Sequence, residues 1–307
     1  MSRKKTVKAG VKAWYFVITA ALIITALLFS ENLIPTCLFC GNSGVTRDPL
    51  SSSTDEEILR VTFIDVGQAD SILVECGESV MLVDGGNKND GDTVVSVLKK
   101  HGIDNINYMV ATHPHEDHVG GLSGVLNYAT VKKAYCSYNE YDSSAFRNFK
   151  KYLDKQSLEI TLPVCGTVFY LGKAKVTIIG PQRLYDSVND NSIVLKLEYG
   201  DTSFLLMGDA GNDAEKDLIE SGYDLSADVL KIGHHGSSDA TSYVFLKEVM
   251  PDIAVISCGK NNDYGHPSES TLSRLADAQA KVYLTQNDGD IIIESDGTLL
   301  NVMLRKN

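Results

Sequence analysis

The chain has 307 residues, is 43% hydrophobic and carries a formal net charge of −12, enough apolar content for one large globular domain or two small ones. Arg3, Lys4, Lys5, Lys8 and Lys12 crowd the N-terminus, which leaves 23 Lys and Arg against 40 Asp and Glu, or −17, for the rest. A body this acidic repels polyanions at long range and disfavours bulk electrostatic binding to nucleic acid, so a phosphate substrate needs local help such as bound cations.

A basic leader over 1–12 precedes Ala13–Phe29, AWYFVITAALIITALLF, an unbroken run of apolar residues and Thr. It lies toward the short end of the ~20 residues of a membrane helix. No A-x-A cleavage site follows, so residues 13–30 are expected to be a retained signal anchor, a single pass with the leader in the cytoplasm and the body outside the cell. The alternative, a cleaved signal peptide, exports the body equally. Residues 31–57 are the expected linker, with Gly, Ser, Pro and charge but no apolar period over Gly41–Glu57. Cys37 and Cys40 lack a second pair at zinc-finger spacing and read as a local disulfide or idle thiols. Cys76, Cys136, Cys165 and Cys258 read as apolar fillers.

From Ile58 the pattern changes. LRVTFIDV, DSILVEC and SVMLVDGG predict consecutive strands, TVVSVLKKHG a helix ending at Gly102, and INYMVATH a buried strand. A helix opens at GGLSGVLNY, VKKAYCS returns as a strand, and SSAFRNFKKYLDKQ has helical spacing. In the second half TVFYLGKAKVTIIGP, NSIVLKLEYG and TSFLLMGDA predict strands, with YGDT as a hairpin turn. DAEKDLIESG, SYVFLKEVM and STLSRLADAQ predict helices between the strands DVLKIGHH, DIAVISCG, KVYLT, DIIIES and LLNVML. Strands followed by alternating strand and helix, twice over, predict an α/β fold of two β layers flanked by helices, one domain over 58–307.

The chemistry collects at predicted strand ends. ATHPHEDHVGG, Ala111–Gly121, holds His113, His115 and His118, three of the chain's 7 histidines, with Glu116 and Asp117 between them. Residues two apart in extended backbone point to one side, so His113 and His115 can share a cation, and Asp117 and His118 a second. Imidazole with carboxylate suits zinc, manganese or iron. A surface loop that happens to be His-rich is the alternative, and it is disfavoured because candidates recur at other strand ends. Those are Asp209 in LLMGDA, His234 and His235 in LKIGHHGS, His266 in NNDYGHPS, and Asp84 in LVDGG, an outer residue buttressing the histidine loop. Gly120 and Gly121 are expected to let the backbone turn tightly into the next helix.

Together these residues resemble the metallo-β-lactamase superfamily. His113, His115, Asp117 and His118 match its H-x-H-x-D-H motif, Asp84 its first motif, Asp209 its bridging Asp, and His234 or His235 its last ligand histidine. FIDVGQADSILVE, NDNSIVLKL, FLLMGDA, LKIGHHGS and YGHPS resemble the C-terminal domain of ComEC-type DNA-uptake proteins, as a stand-alone relative. The resemblance implies a four-layer αββα sandwich, which would follow the one N-terminal membrane helix expected from the apolar run. It also implies two divalent metal ions, Zn or Mn, with one position only partly filled. The expected ligands are His113, His115, Asp117, His118, Asp209 and His235. Asp117, His234 and His266 are the expected catalytic groups. Asp84, Gln68, Asp70, Asn191, Ser192 and Lys231 are expected to contact substrate or support the ligands, with Gln68 and Asp70 on the rim and Lys231 close in sequence to the site; a strand-edge surface lysine is the alternative for Lys231.

One departure matters: no histidine lies between His118 and His234, where the superfamily usually has a ligand, and the region reads Asn189-Asp190-Asn191-Ser192. Asp190 or Asn191 is the candidate replacement. The expected reaction is hydrolysis by metal-activated water in an extracellular phosphodiesterase, with DNA as the first substrate and a cell-envelope phosphodiester (phosphorylcholine or teichoic-acid type) as the alternative. β-Lactam and thioester hydrolysis are disfavoured, because such sites keep the missing histidine. A tethered binding module with a degenerate metal site is the non-enzymatic alternative. No protein partner is implied.

Overall fold

The structure is a computed structural model that describes residues 57–306. The expected anchor over 13–30 and Cys37 and Cys40 lie outside the described residues. Among the described residues no helix is long and apolar enough to cross a membrane.

Two sheets form the body. The first has eight strands in the order β15-β14-β1-β2-β3-β4-β5-β6, namely Leu300–Arg305, Asp290–Ser295, Leu59–Phe63, Ile72–Cys76, Ser79–Val83, Asn105–Ala111, Thr130–Cys136 and Ile160–Thr161. The second has seven in the order β13-β12-β11-β10-β9-β8-β7, namely Lys281–Leu284, Ile253–Ile256, Val229–Lys231, Thr202–Leu206, Val194–Tyr199, Ala174–Gly180 and Val168–Leu171. Each sheet is antiparallel on one side and parallel on the other. The change falls at β3, antiparallel to β2 and parallel to β4, and at β10, antiparallel to β9 and parallel to β11.

Period-2 alternation in the strands builds the layers. Leu59, Val61 and Phe63 of β1 meet Leu195, Leu197, Phe204 and Leu206 of β9 and β10 in the apolar core between the sheets. Opposite residues face helices. Leu73, Leu82, Met109 and Ala134 pack under helices α1 (Gly91–Lys100), α3 (Leu122–Tyr128) and α4 (Ser144–Lys155). Leu205, Leu230 and Ala254 pack under α5 (Asn212–Glu220), α6 (Tyr243–Val249) and α7 (Glu269–Asp277). Ser143, Ser242 and Ser268 start α4, α6 and α7 by accepting from Phe146, Phe245 and Thr271 N–H groups. The expected arrangement of two β layers flanked by helices is therefore the observed one. Elements beyond those expected are β6, the short helices α2 (Glu116–Val119) and α8 (Thr285–Asp288), and 3₁₀ turns at Lys88–Asp90, Asn189–Asn191 and Gly233–Gly236.

Parallel strands end together, so loops at their carboxyl ends share a crevice, the usual ligand position in such sheets. β3 leads to Asp84, β4 to His113, β10 to Asp209 and β11 to His235. Gly120 and Gly121 lie in right-handed helical backbone, φ −58° and −78°, so turning freedom is not their use. A Cβ on Gly120 would meet Lys88 N at 2.4 Å and one on Gly121 would meet the Gly85 carbonyl oxygen at 2.0 Å. Their lack of a side chain lets the histidine loop pack on the Gly85–Lys88 turn.

Candidate metal centre

Asp117, His118, Asp209 and His235 converge, each offering a ligand atom within 4.8 Å of the others. His118 Nε2 lies 3.3 Å from Asp209 Oδ2 and 3.8 Å from Asp117 Oδ2. His235 Nε2 lies 3.3 Å from Asp117 Oδ2 and 3.5 Å from Asp209 Oδ1. His118 Nε2, His235 Nε2 and Asp209 Oδ1 are buried with no hydrogen-bond partner. Three buried polar atoms left unpaired around one point cost stability unless something fills that point. Two imidazoles and two carboxylates are a donor set for a divalent cation, and the residues fit one.

The outer nitrogens are fixed. His118 Nδ1 sits 2.8 Å from Asp84 Oδ2, which also accepts from the Thr112 hydroxyl at 2.7 Å, while Asp84 Oδ1 accepts from Thr112 N at 2.7 Å. His235 Nδ1 donates to the Ser257 carbonyl at 3.0 Å. Each ring thus keeps its proton on Nδ1 and turns Nε2 inward, the orientation a ligand histidine needs. Asp70, Asp84 and His118 are also close enough to hold a cation, but Lys231, Thr112 and the His118 ring already occupy the two carboxylates.

Charge is concentrated in this pocket. Burial opposes charge on His118, yet Asp209, Asp84 and Asp117 hold its pKa well above the ordinary value. Burial likewise opposes charge on His235, and Asp209 and Asp70 push it up to about 10. Asp209 is held well below the carboxylate range by His118 and His235 against its own burial. Without a cation, the protons on these rings balance the carboxylates.

The other predicted residues fall in three places. His113 is fully buried, its Nε2 3.0 Å from His115 Nδ1 and 3.7 Å from Asp209 Oδ2. Burial and the His118 charge push its pKa well down, which keeps it a neutral donor. Ser192 Oγ supports this side, 3.3 Å from His113 Nδ1 and accepting from Asp209 N at 3.0 Å. On the open side His234 is about a quarter exposed, with Nδ1 3.2 Å from Asp239 Oδ1 and Nε2 3.9 Å from Asp209 Oδ2. His234 and His235 both take left-handed backbone, φ 47° and 51°. That costs on the order of 1–3 kcal/mol per residue and aims adjacent rings at different neighbours. His266 lies 5.4 Å from the His234 ring. Gln68 Nε2 reaches His266 Nδ1 at 3.5 Å while Gln68 Oε1 accepts from Gly259 N.

Four expectations change. Asp70 is not on a rim and Lys231 is not on a surface: they are 1% and 0% exposed and pair at 2.9 Å. Asp70 Oδ1 lies 3.4 Å from His235 Nδ1, so the buried pair backs the histidine. Asn191 does not reach inward. Its amide is used by Tyr185 N, the Tyr185 and Ser187 carbonyls and the Tyr138 hydroxyl. Asp190 Oδ1 accepts from Gly211 N and Ala214 N at the start of α5. Thr112, Ser257 and Asp239 were not anticipated; the only sequence signal for Thr112 was its place between a strand and the first histidine.

A cluster of this composition at the strand ends of an αββα sandwich defines the metallo-β-lactamase class of metal-site hydrolases. Residues 64–260 match the family described as the metallo-beta-lactamase superfamily, and the chain belongs to it. It is similar to ComE operon protein 3 of Bacillus subtilis, 27% identical over 250 residues that cover 75% of this chain and 32% of that one. It is also similar to Recombination protein 2 of Haemophilus influenzae, 28% identical over 239 residues covering 76% of this chain and 28% of that one. The relatives are competence proteins of the ComEC type, and the chain spans about a third of their length. In fold it is similar to YhfI of Bacillus subtilis, a metallo-beta-lactamase fold protein, with a TM-score of 0.53 at 11% identity over 77% of this chain and 100% of that one.

Proposed function

We propose that the protein is a metal-dependent phosphodiesterase acting outside the cell, with DNA as its first substrate. The observation that carries the reading is the set of inward, unpartnered donor atoms on His118, His235 and Asp209 beside Asp117. Two divalent ions, zinc or manganese, are the proposed cofactors, one in that set and one at His113, His115 and Asp209. Bound there, they would supply a nucleophile at neutral pH, because a metal ion brings the pKa of water down to about 7, and would offset charge on a phosphoryl oxygen.

The chain's own residues do the rest. Asp117 is both ligand and orienter of the nucleophile; its partner contact to His235 holds it in place. Gln68 donates to His266 Nδ1, which leaves the ring proton on Nε2. Burial, with the charge of His235, pushes the His266 pKa down. His266 is then neutral at pH 7 and donates a hydrogen bond to a phosphoryl or leaving-group oxygen. His234 stands beside it, held through Nδ1 by Asp239. Asp84, Ser192, Asp70 and Lys231 position the ligands. The competence-type relatives favour DNA, and the N-terminal apolar run favours anchorage with the body outside.

The balance of −17 outside the leader favours a second substrate, a cell-envelope phosphodiester, because tight nonspecific DNA binding needs positive charge. Hydrolysis of bis(p-nitrophenyl) phosphate, plasmid DNA and a phosphorylcholine ester by the full-length chain, chelated and then restored with zinc or manganese, tests the reading. Restored hydrolysis that Asp209→Ala abolishes supports it, and plasmid nicking selects DNA. A fully loaded protein that hydrolyses none of the three is a binding module instead.

A further inference from the structure

We infer that the Asn189 side-chain oxygen takes the place of the absent third histidine, as the last protein ligand of the cation held by His113 and His115. The inference rests on the metal-dependent reading above and adds to it the residue that completes the second position. No histidine lies between His118 and His234, and of the four residues that replace it three are committed elsewhere. Asp190 Oδ1 accepts the α5 N–H groups, the Asn191 amide is used on both ends, and Ser192 Oγ lies between His113 Nδ1 and Asp209 N. Asn189 is the exception. Its Oδ1 is buried and has no hydrogen-bond partner.

The orientation of that amide is set by its neighbours. Asp239 Oδ1 accepts from His234 Nδ1 at 3.2 Å and fixes that ring. Asn189 Nδ2 lies 3.2 Å from His234 Nε2 and donates to it. With Nδ2 spent on His234, Oδ1 is the atom left for the other side, where the Asn189 side chain reaches toward the His115 ring without a hydrogen bond of ordinary geometry to it. His115 Nδ1 and His113 Nε2 are 3.0 Å apart there, and Asp209 Oδ2 is 3.7 Å from His113 Nε2. An amide oxygen is an ordinary ligand for a divalent cation, and a buried one without a donor is costly unless a cation supplies the missing partner. Asp239, His234 and Asn189 therefore form one line from the open side of the cleft to the metal.

The test is manganese binding to the full-length chain by calorimetry and by electron paramagnetic resonance, for wild type, Asn189→Ala and Asn189→Asp. Wild type is expected to bind two ions and to show the spectrum of a coupled pair. Asn189→Ala is expected to weaken one site by more than about 10-fold, the size of effect that even an outer partner of a ligand has. The other site should keep its affinity, and the coupled signal should be lost. Asn189→Asp, which keeps the oxygen, should restore both. Two unchanged sites and an unchanged coupled signal in Asn189→Ala would overturn the inference while leaving the metal-dependent reading intact. A raised KM with metal binding unaltered would do the same and make Asn189 a substrate contact. Wild type that binds no manganese or zinc would instead end the underlying reading.

Discussion

Replacing Lys231 by Met tests whether the buried pair beneath His235 holds the centre in place. Lys231 Nζ is 2.9 Å from Asp70 Oδ2, both side chains are at most 1% exposed, and the lysine also donates to the Ile232 carbonyl. Methionine keeps the bulk and removes the charge, which strands the Asp70 carboxylate in the interior. Breaking a buried pair from one side costs about 3–5 kcal/mol. For a domain of this size each kcal/mol lowers the melting temperature by about 2–4 °C, so a fall on the order of 10 °C is expected. The double variant Lys231→Met/Asp70→Leu removes the stranded charge and should recover much of that loss. It should not recover metal affinity, because His235 has lost the carboxylate 3.4 Å from its Nδ1; a 10–100-fold weakening is expected. Thermal unfolding in chelator and zinc titration by calorimetry read the two effects separately. A double variant as unstable as the single one would refute the stranded-charge argument. One that binds zinc as wild type does would show that Asp70 plays no part in setting His235.

Two further outcomes follow from the charges around the histidines. His235 in the folded, metal-free protein is pushed up to about 10, above the ~6.5 of an unfolded chain. Its protonation therefore stabilises the fold fully below about pH 6.5, and that contribution drains away as pH rises toward about 10. The melting temperature of chelated protein should fall across this window and fall less in Asp70→Asn; a flat wild-type profile would contradict it. Asp84→Asn keeps the shape that accepts from Thr112 but lets an amide N–H face His118 Nδ1, now 2.8 Å from Asp84 Oδ2. The ring proton then moves to Nε2, and manganese affinity should drop by about 10–100-fold; unchanged affinity in calorimetry would remove Asp84 from its positioning role.

The residues legible in the sequence were those whose type alone announces chemistry. His113, His115, Asp117 and His118 sit within six positions after a buried strand, and period-2 and helical spacing placed nearly every strand and helix. Asp84 and Asp209 were legible because an acidic residue beside glycine ends an apolar strand in each case. Burial of polar side chains was not legible. Lys231 ends a strand that lies between β10 and β12 with both faces covered, and no local pattern distinguishes that from an edge lysine. Asp70 was unreadable for the same reason, since its partner is 161 positions away in sequence. The stretch Asn189–Ser192 advertised a missing ligand without saying which of its polar side chains was free, because that depends on where α5, Tyr185 and His113 lie in three dimensions. Adjacent His234 and His235 could be told apart only by backbone conformation, which sends one ring inward and leaves the other at the opening.

The most direct measurement is anomalous diffraction from crystals of the protein loaded with zinc or with manganese, collected at the matching absorption edge. Metal-centred hydrolysis predicts a peak bounded by His118 Nε2, His235 Nε2, Asp117 and Asp209. Loaded crystals with no peak among those four side chains would contradict it.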